Sequence, residues 1–242
     1  MVTKNQIKLI TSLKQKKNRQ NHQLFIAEGE KVIRELLNAA FVLNNLYVTE
    51  PIFEEISNTK KVLIAETDLK KITCLATPNN CLALFEIPIL KQSNSNGLKV
   101  MLDDIRDPGN LGTIIRLCDW FGVEELICSN ETVDFFNPKV VQATMGSIAR
   151  VAVKYTNLEV YLKKTELQVF GTFMEGQNVY KKQLPESGIL LLGNEANGIS
   201  SKLEKFVTQK ICIPRFGNEQ KTESLNVATA TAIFLSEFKR SS

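Results

Sequence analysis

Leu98-Lys99-Val100-Met101-Leu102-Asp103-Asp104-Ile105-Arg106-Asp107-Pro108-Gly109-Asn110-Leu111-Gly112-Thr113-Ile114-Ile115-Arg116 is the stretch on which the reading of this chain turns. Leu98 to Leu102 is a short, mainly apolar run without polar alternation, the mark of a strand covered on both faces. A Pro-Gly turn ends it, and a helix is predicted from Leu111 to Phe121 with Asn110 placed to cap it. The same alternation continues outward. Leu126-Ile127-Cys128, Val169 to Phe173, Ile189 to Leu192 and Ile211-Cys212-Ile213 read as further strands, and a helix from about Leu225 to Phe238 closes the chain. The pattern predicts an α/β domain over 98–242 with a mostly parallel sheet.

Upstream, Lys91 to Gly97 has no apolar residue and reads as a linker. Before it, residues 1–90 form a smaller α/β part. Ile7, Ile10 and Leu13 share one face of an opening helix, and Val32, Ile33, Leu36 and Leu37 recur at helical spacing within 29–40. Leu24 to Ala27, Leu46 to Val48, Val62 to Ile64 and Leu82 to Phe85 are strand candidates.

Composition bounds the chemistry. The 242 residues are 43% hydrophobic and 23% charged, with a net charge of +4. No run approaches the ~20 apolar residues of a membrane span, and the polar, basic opening lacks an apolar signal core, so a cytoplasmic location is expected. Lys4, Lys8, Lys14, Lys16, Lys17 and Arg19 fall in residues 1–22 without an acid. Such a cluster suits RNA phosphates or, equally, a solvated helix face. The five cysteines form no C-x-x-C pair, and His22 is the single histidine. A His-based metal site and a Ser-His-Asp triad are therefore excluded, and no metal is expected.

Three clusters at strand ends carry polar or glycine residues where ligands of open α/β sheets bind. In the first, Arg116 lies six residues past Asn110, about 600° of helical turn, so the two point in different directions. An arginine there suits a salt bridge at a helix edge or a phosphate or ribose oxygen. The second is Leu192-Gly193-Asn194-Glu195-Ala196-Asn197-Gly198, which reads as a plain turn or as a ligand loop. The third joins Ile213-Pro214-Arg215-Phe216-Gly217 to Ser224-Leu225-Asn226-Val227, with Ser224 as a natural helix cap. Small Ala228, Ala230 and Ala232 leave room for another segment to pack on the last helix. A dinucleotide oxidoreductase would need G-x-G-x-x-G after the first strand, which residues 108–112 do not supply.

Together the clusters resemble the three motifs of the SpoU family of RNA ribose methyltransferases, within the SPOUT class. Asn110, Gly112 and Arg116 resemble the first motif, Gly193, Glu195 and Gly198 the second, and Ile213, Pro214, Ser224, Leu225, Asn226 and Val227 the third. Phe25 to Gly29 and Thr77-Pro78 are similar to the substrate-binding domain many members carry, which resembles a ribosomal RNA-binding protein. The resemblance implies a deep trefoil knot in the C-terminal domain, a homodimer, S-adenosylmethionine as cofactor and methyl transfer to a ribose 2′-hydroxyl of structured RNA, ribosomal RNA before transfer RNA. It implies Leu192, Gly193, Gly198, Ile213 and Leu225 at the cofactor, and Arg116, Asn110, Glu195, Ser224 and Asn226 in catalysis. The alternative is an RNA-binding member that has lost catalysis. Thr113, Arg215 and Ala228 depart from the family's usual Ala, Met and Ser, and the segment Asn218 to Glu223 is longer than in many members.

Overall fold

The computed structural model describes residues 2–89, 97–123, 125–217 and 224–240. In chain order the elements are α1 (Lys4–Ser12), α2 (Lys16–His22), β1 (Leu24–Glu28), α3 (Glu30–Asn38), β2 (Leu43–Val48), β3 (Lys61–Leu63), α4 (Glu66–Ile72), β4 (Cys81–Glu86), β5 (Leu98–Leu102), α5 (Pro108–Trp120), β6 (Glu125–Cys128), α6 (Pro138–Thr144), β7 (Ala152–Tyr155), α7 (Leu158–Leu162), β8 (Val169–Asn178), β9 (Gly188–Leu192), α8 (Ser201–Glu204), β10 (Gln209–Cys212) and α9 (Val227–Lys239). They form two compact units, Met1–Ile89 with Asp134–Ala149, and Leu90–Val133 with Arg150–Ser242. Residues 91–96 of the expected linker lie outside the described residues.

The first unit holds a four-stranded sheet of order β1-β4-β2-β3, antiparallel except for the β2–β3 pair. α1 starts where Thr3 accepts the Gln6 backbone N–H at 3.2 Å and Gln6 accepts that of Thr3 at 2.9 Å, a reciprocal cap. The helix turns Ile10 into a core with Leu13, Ile26, Tyr47, Leu82 and Leu84, and Ile7 packs against its edge. Arg19 departs from the phosphate-binding expectation. It is 2% exposed, its Nε donates to Asp134 Oδ2 at 3.0 Å, and its Nη1 donates to the Leu13 carbonyl at 2.8 Å. Lys4, Lys8, Lys14, Lys16 and Lys17 remain at the surface. Phe136, just before α6, brings its ring to 4.7 Å from that of Phe25 on β1. Residues 134–149 thus group with the first unit although they follow β6 in the chain.

The second unit is built on a six-stranded sheet of order β10-β8-β9-β5-β6-β7, parallel throughout. Met101, Ile127, Val169, Ile189 and Leu191 face one core with Leu158 and Leu162 of α7 and Leu203 of α8. Alternate residues take the opposite face, where Phe170 meets Phe238 of α9 edge-on at 5.2 Å. β7, which the hydrophobic pattern does not reveal, is an edge strand with Val153 as its buried residue. β8 runs past the predicted Phe173 to Asn178. Its register against β10 jumps from Gly171↔Lys210 to Gln177↔Ile211, so the residues between bow out of the ladder.

Both predicted caps move. α5 begins at Pro108, and Asp107 caps it by accepting the Asn110 N–H at 2.8 Å. Proline suits the first helical position, where no N–H is needed, so the helix starts a turn earlier than Leu111. α9 begins at Val227 with Asn226 as its cap, in place of Ser224. Ala228 and Thr231 are buried within this chain, and α9 packs on α5.

Candidate functional site

The site grows from the carboxyl ends of adjacent strands in the second unit. β9 ends at Leu192, whose carbonyl accepts the Asp103 N–H at 2.9 Å. The chain then makes a tight loop. Asn194 N–H donates to the Gly198 carbonyl at 3.0 Å, and Gly198 N–H donates back at 2.8 Å. Within it, Asn194 Oδ1 accepts the Ala196 N–H at 2.9 Å, and Nδ2 donates to the Asp104 carbonyl at 2.7 Å. A Cβ on Gly193 would lie 2.1 Å from the Gly198 carbonyl carbon, and Gly198 has a φ of +67°. One glycine permits a backbone contact and the other a left-handed turn. Asp103, 5% exposed, closes the far side by accepting the Ser200 N–H at 2.8 Å.

This loop presents Glu195 to solvent next to α5. Glu195 Oε1 accepts from Asn110 Nδ2 at 2.9 Å, and Asn110 Oδ1 accepts from Asn226 Nδ2 at 2.9 Å. Asn226 Oδ1 in turn accepts the N–H groups of Ala228 at 2.9 Å and Thr229 at 3.3 Å. The cap fixes the sense of the whole chain. With its oxygen committed to α9, Asn226 turns its NH2 to Asn110, which must answer with oxygen and so turns its own NH2 to the carboxylate. Because Asp107 caps α5, the Asn110 side chain is free for this contact. The three sequence clusters therefore meet through one hydrogen-bonded line.

Beside that line is a cavity of about 1550 Å³. Of the residues singled out in the sequence, Leu192, Gly193, Glu195, Gly198, Ile213, Ser224 and Leu225 line it, while Asn110, Asn226 and Arg116 do not. Arg116 is exposed on α5, and among the described residues none hydrogen-bonds or ion-pairs with its guanidinium. Thr172, Phe173 and Met174, from the bowed part of β8, and Phe216 also line the cavity. None of the four is marked as a site residue by the sequence motifs. For Phe216 the available signal was an aromatic residue between Pro214 and Gly217 at the end of a strand segment.

The cavity fits an amphipathic nucleoside with a cationic centre. Its volume exceeds the ~300–1000 Å³ of common ligand pockets. Its walls combine apolar Leu192, Ile213 and Leu225 with close-lying loop backbone, and Glu195 offers a negative partner. Burial pushes the Cys118 and Cys128 thiols far above their usual range, so neither of these two is an activated nucleophile. Among the described residues no cluster of His, Cys, Asp and Glu is arranged to hold a metal, and no helix is long and apolar enough to cross a membrane.

Comparisons with known proteins fit this geometry. Residues 97–236 match the model of the SpoU rRNA Methylase family, and residues 4–83 match that of the MRM3-like substrate binding domain. The 23S rRNA (guanosine(2553)-2′-O)-methyltransferase RlmP of Bacillus subtilis is 30% identical over 229 residues, covering 91% of this chain and 90% of that protein. A protein from Porphyromonas gingivalis, described as an RNA methyltransferase of the TrmH family, superposes with a TM-score of 0.88 at 37% identity, over 100% of both chains. An AdoMet-bound rRNA methyltransferase from Sinorhizobium meliloti superposes with a TM-score of 0.86 at 30% identity, over 100% of this chain and 96% of the other.

Proposed function

Because the chain belongs to the SpoU rRNA methylase family, we propose that it transfers a methyl group from S-adenosylmethionine to a ribose 2′-hydroxyl of structured RNA, ribosomal RNA in preference to transfer RNA. The observation that carries this reading is the Glu195–Asn110–Asn226 line beside a cavity with more than enough room for a nucleoside. The AdoMet-bound relative of the same fold supports S-adenosylmethionine as the occupant.

When bound, S-adenosylmethionine supplies a methyl group on a sulfonium, and the transfer is an in-line displacement governed by positioning. Leu192, Gly193, Gly198, Ile213 and Leu225 would hold the cofactor through apolar walls and backbone groups. Glu195 and Ser224 face the same space and orient the incoming ribose, with Asn110 and Asn226 holding the Glu195 carboxylate in place. A guanidinium offers five N–H donors and no acceptor, so Arg116 acts as a donor to the ribose hydroxyl or an adjacent phosphate, and the proton leaves through the substrate or solvent. The substrate-binding match of residues 4–83 and the exposed lysines of α1 and α2 support RNA recognition by the first unit. With this reading go a trefoil-knotted second unit, a cytoplasmic location and a homodimer, whose interface would cover apolar surface such as Trp120, 85% exposed at the end of α5.

The test is transfer of labelled methyl from S-adenosylmethionine to ribosomal RNA transcribed without modification, with transfer RNA transcripts in parallel and the product mapped for 2′-O-methylation. Arg116→Ala is expected to keep cofactor affinity and lose most of the transfer. Cofactor binding with no transfer to either RNA would instead support a silent RNA-binding protein. Full activity in the Arg116 variant would remove that residue from the mechanism.

A further inference from the structure

Phe216 is 80% exposed while lining the cavity. A single exposed apolar side chain is ordinary, but this one has company. Its ring lies 6.3 Å from that of Tyr180 with 31° between the planes. Tyr180 is held from below. Its N–H donates to Asn178 Oδ1 at 2.9 Å, and its neighbour Val179 is fully buried. Met174 and Leu225, 49% and 48% exposed, line the same cavity. Cations flank both rings in the chain: Arg215 precedes Phe216 and Lys181 follows Tyr180, and both are exposed.

Aromatic faces beside cationic side chains recognise an unpaired RNA base, with rings stacking on the base and cations meeting the phosphates. A ribose brought to this cavity has its nucleotide drawn away from its neighbours, so its base needs a new stacking partner. We propose that Phe216, backed by Tyr180, is the stacking platform for the base of the nucleotide whose ribose is methylated, with Arg215 and Lys181 meeting the flanking phosphates. This rests on the RNA methyltransferase reading above. Stacking tolerates any base, so the platform positions the nucleotide without selecting its identity, and Phe216 is a positioning residue for the reaction.

The experiment compares wild type with Phe216→Ala, Phe216→Leu and Phe216→Tyr in the full chain. S-adenosylmethionine affinity is measured by calorimetry, affinity for an unmodified ribosomal RNA transcript by filter binding, and KM and kcat by methyl transfer to that transcript. Phe216→Ala is expected to weaken RNA affinity and raise KM by roughly 5- to 100-fold, leaving cofactor affinity within about twofold. Phe216→Tyr restores RNA affinity and Phe216→Leu does not. The proposal is overturned by unchanged RNA affinity in Phe216→Ala, by rescue with leucine, which would make the site an apolar filler, or by a matching loss of cofactor affinity, which would make Phe216 a wall of the cofactor site. Filter binding reads the platform even where wild type transfers no methyl, so failure of the functional reading is told apart from failure of this one.

Discussion

Replacing Asn226 by Asp and by Ala separates two roles that one side chain plays. Its Oδ1 caps α9 through Ala228 and Thr229, and its Nδ2 donates to Asn110 Oδ1 at 2.9 Å. Aspartate caps as well as asparagine, and its charge is favourable at the positive end of a helix. Asn226→Asp therefore keeps α9 capped and is expected to move stability by less than about 0.5 kcal/mol. What it removes is the donor. The second carboxylate oxygen then faces Asn110 Oδ1, acceptor against acceptor. Turning the Asn110 amide only moves the conflict, because its carbonyl would then face the Glu195 carboxylate. A net hydrogen bond contributes about 0.5–1.5 kcal/mol, or about 1.5–3 to a charged group, and this line lies at the surface, so about 1.5 kcal/mol of positioning is at stake. That is roughly a tenfold loss in rate. Asn226→Ala is expected to lose the same activity and, in addition, about 1 kcal/mol of stability with the cap. Single-turnover methyl transfer at saturating cofactor gives the rate, and thermal unfolding gives the stability. An Asp variant as fast as wild type, or one as unstable as the Ala variant, would refute the reasoning.

Three further outcomes are expected. Asp134→Ala strands the Arg19 guanidinium, 2% exposed, without its carboxylate. The first unit should lose about 3–5 kcal/mol, read from urea unfolding and amide exchange in β1, and an unchanged midpoint would contradict the buried-pair account. Gly193→Ala places a Cβ 2.1 Å from the Gly198 backbone, which must yield at a cost of about 1–3 kcal/mol; calorimetry should show weaker cofactor binding, and wild-type affinity would mean that the loop relaxes freely. At alkaline pH, burial and then the nearby Glu30 carboxylate push the Cys81 thiol up to about 12, and burial and then Glu28 push Cys74 up to about 11. Because the unfolded chain ionises these thiols first, stability falls as pH rises from about 9. The decline should flatten in Cys81→Ala, and an identical pH dependence in that variant would show that Cys81 is not the cause.

Much of the fold was legible along the chain. Short apolar runs identified the parallel strands β5, β6 and β9, and strand-end glycines marked the loop that presents Glu195. Edge strand β7 escaped because only Val153 is buried on it, leaving little hydrophobic signal. The continuation of β8 escaped because its distal half bows out of the ladder and is largely exposed. Both caps were misplaced for one reason: Asp107, Asn110, Ser224 and Asn226 are all competent caps by type, and their backbone geometry decides among them. Phe216 was visible as an aromatic in a loop, but its exposure and its partner Tyr180 were not.

By itself the sequence determined what depends on near neighbours: the strand and helix periods, the glycines that a tight loop requires, and the order of the three motifs. Those preferences are set by dihedral sterics and side-chain spacing within a few residues. Only the tertiary structure decided that Asn110 meets Glu195 across 85 positions and Asn226 across 116, that Arg116 stands away from the cavity wall, and that residues 134–149 complete the first unit. Contacts at that range depend on how sheet and helices pack. Their sense, down to which amide oxygen faces which donor, follows from groups that come together only when the strands are in register.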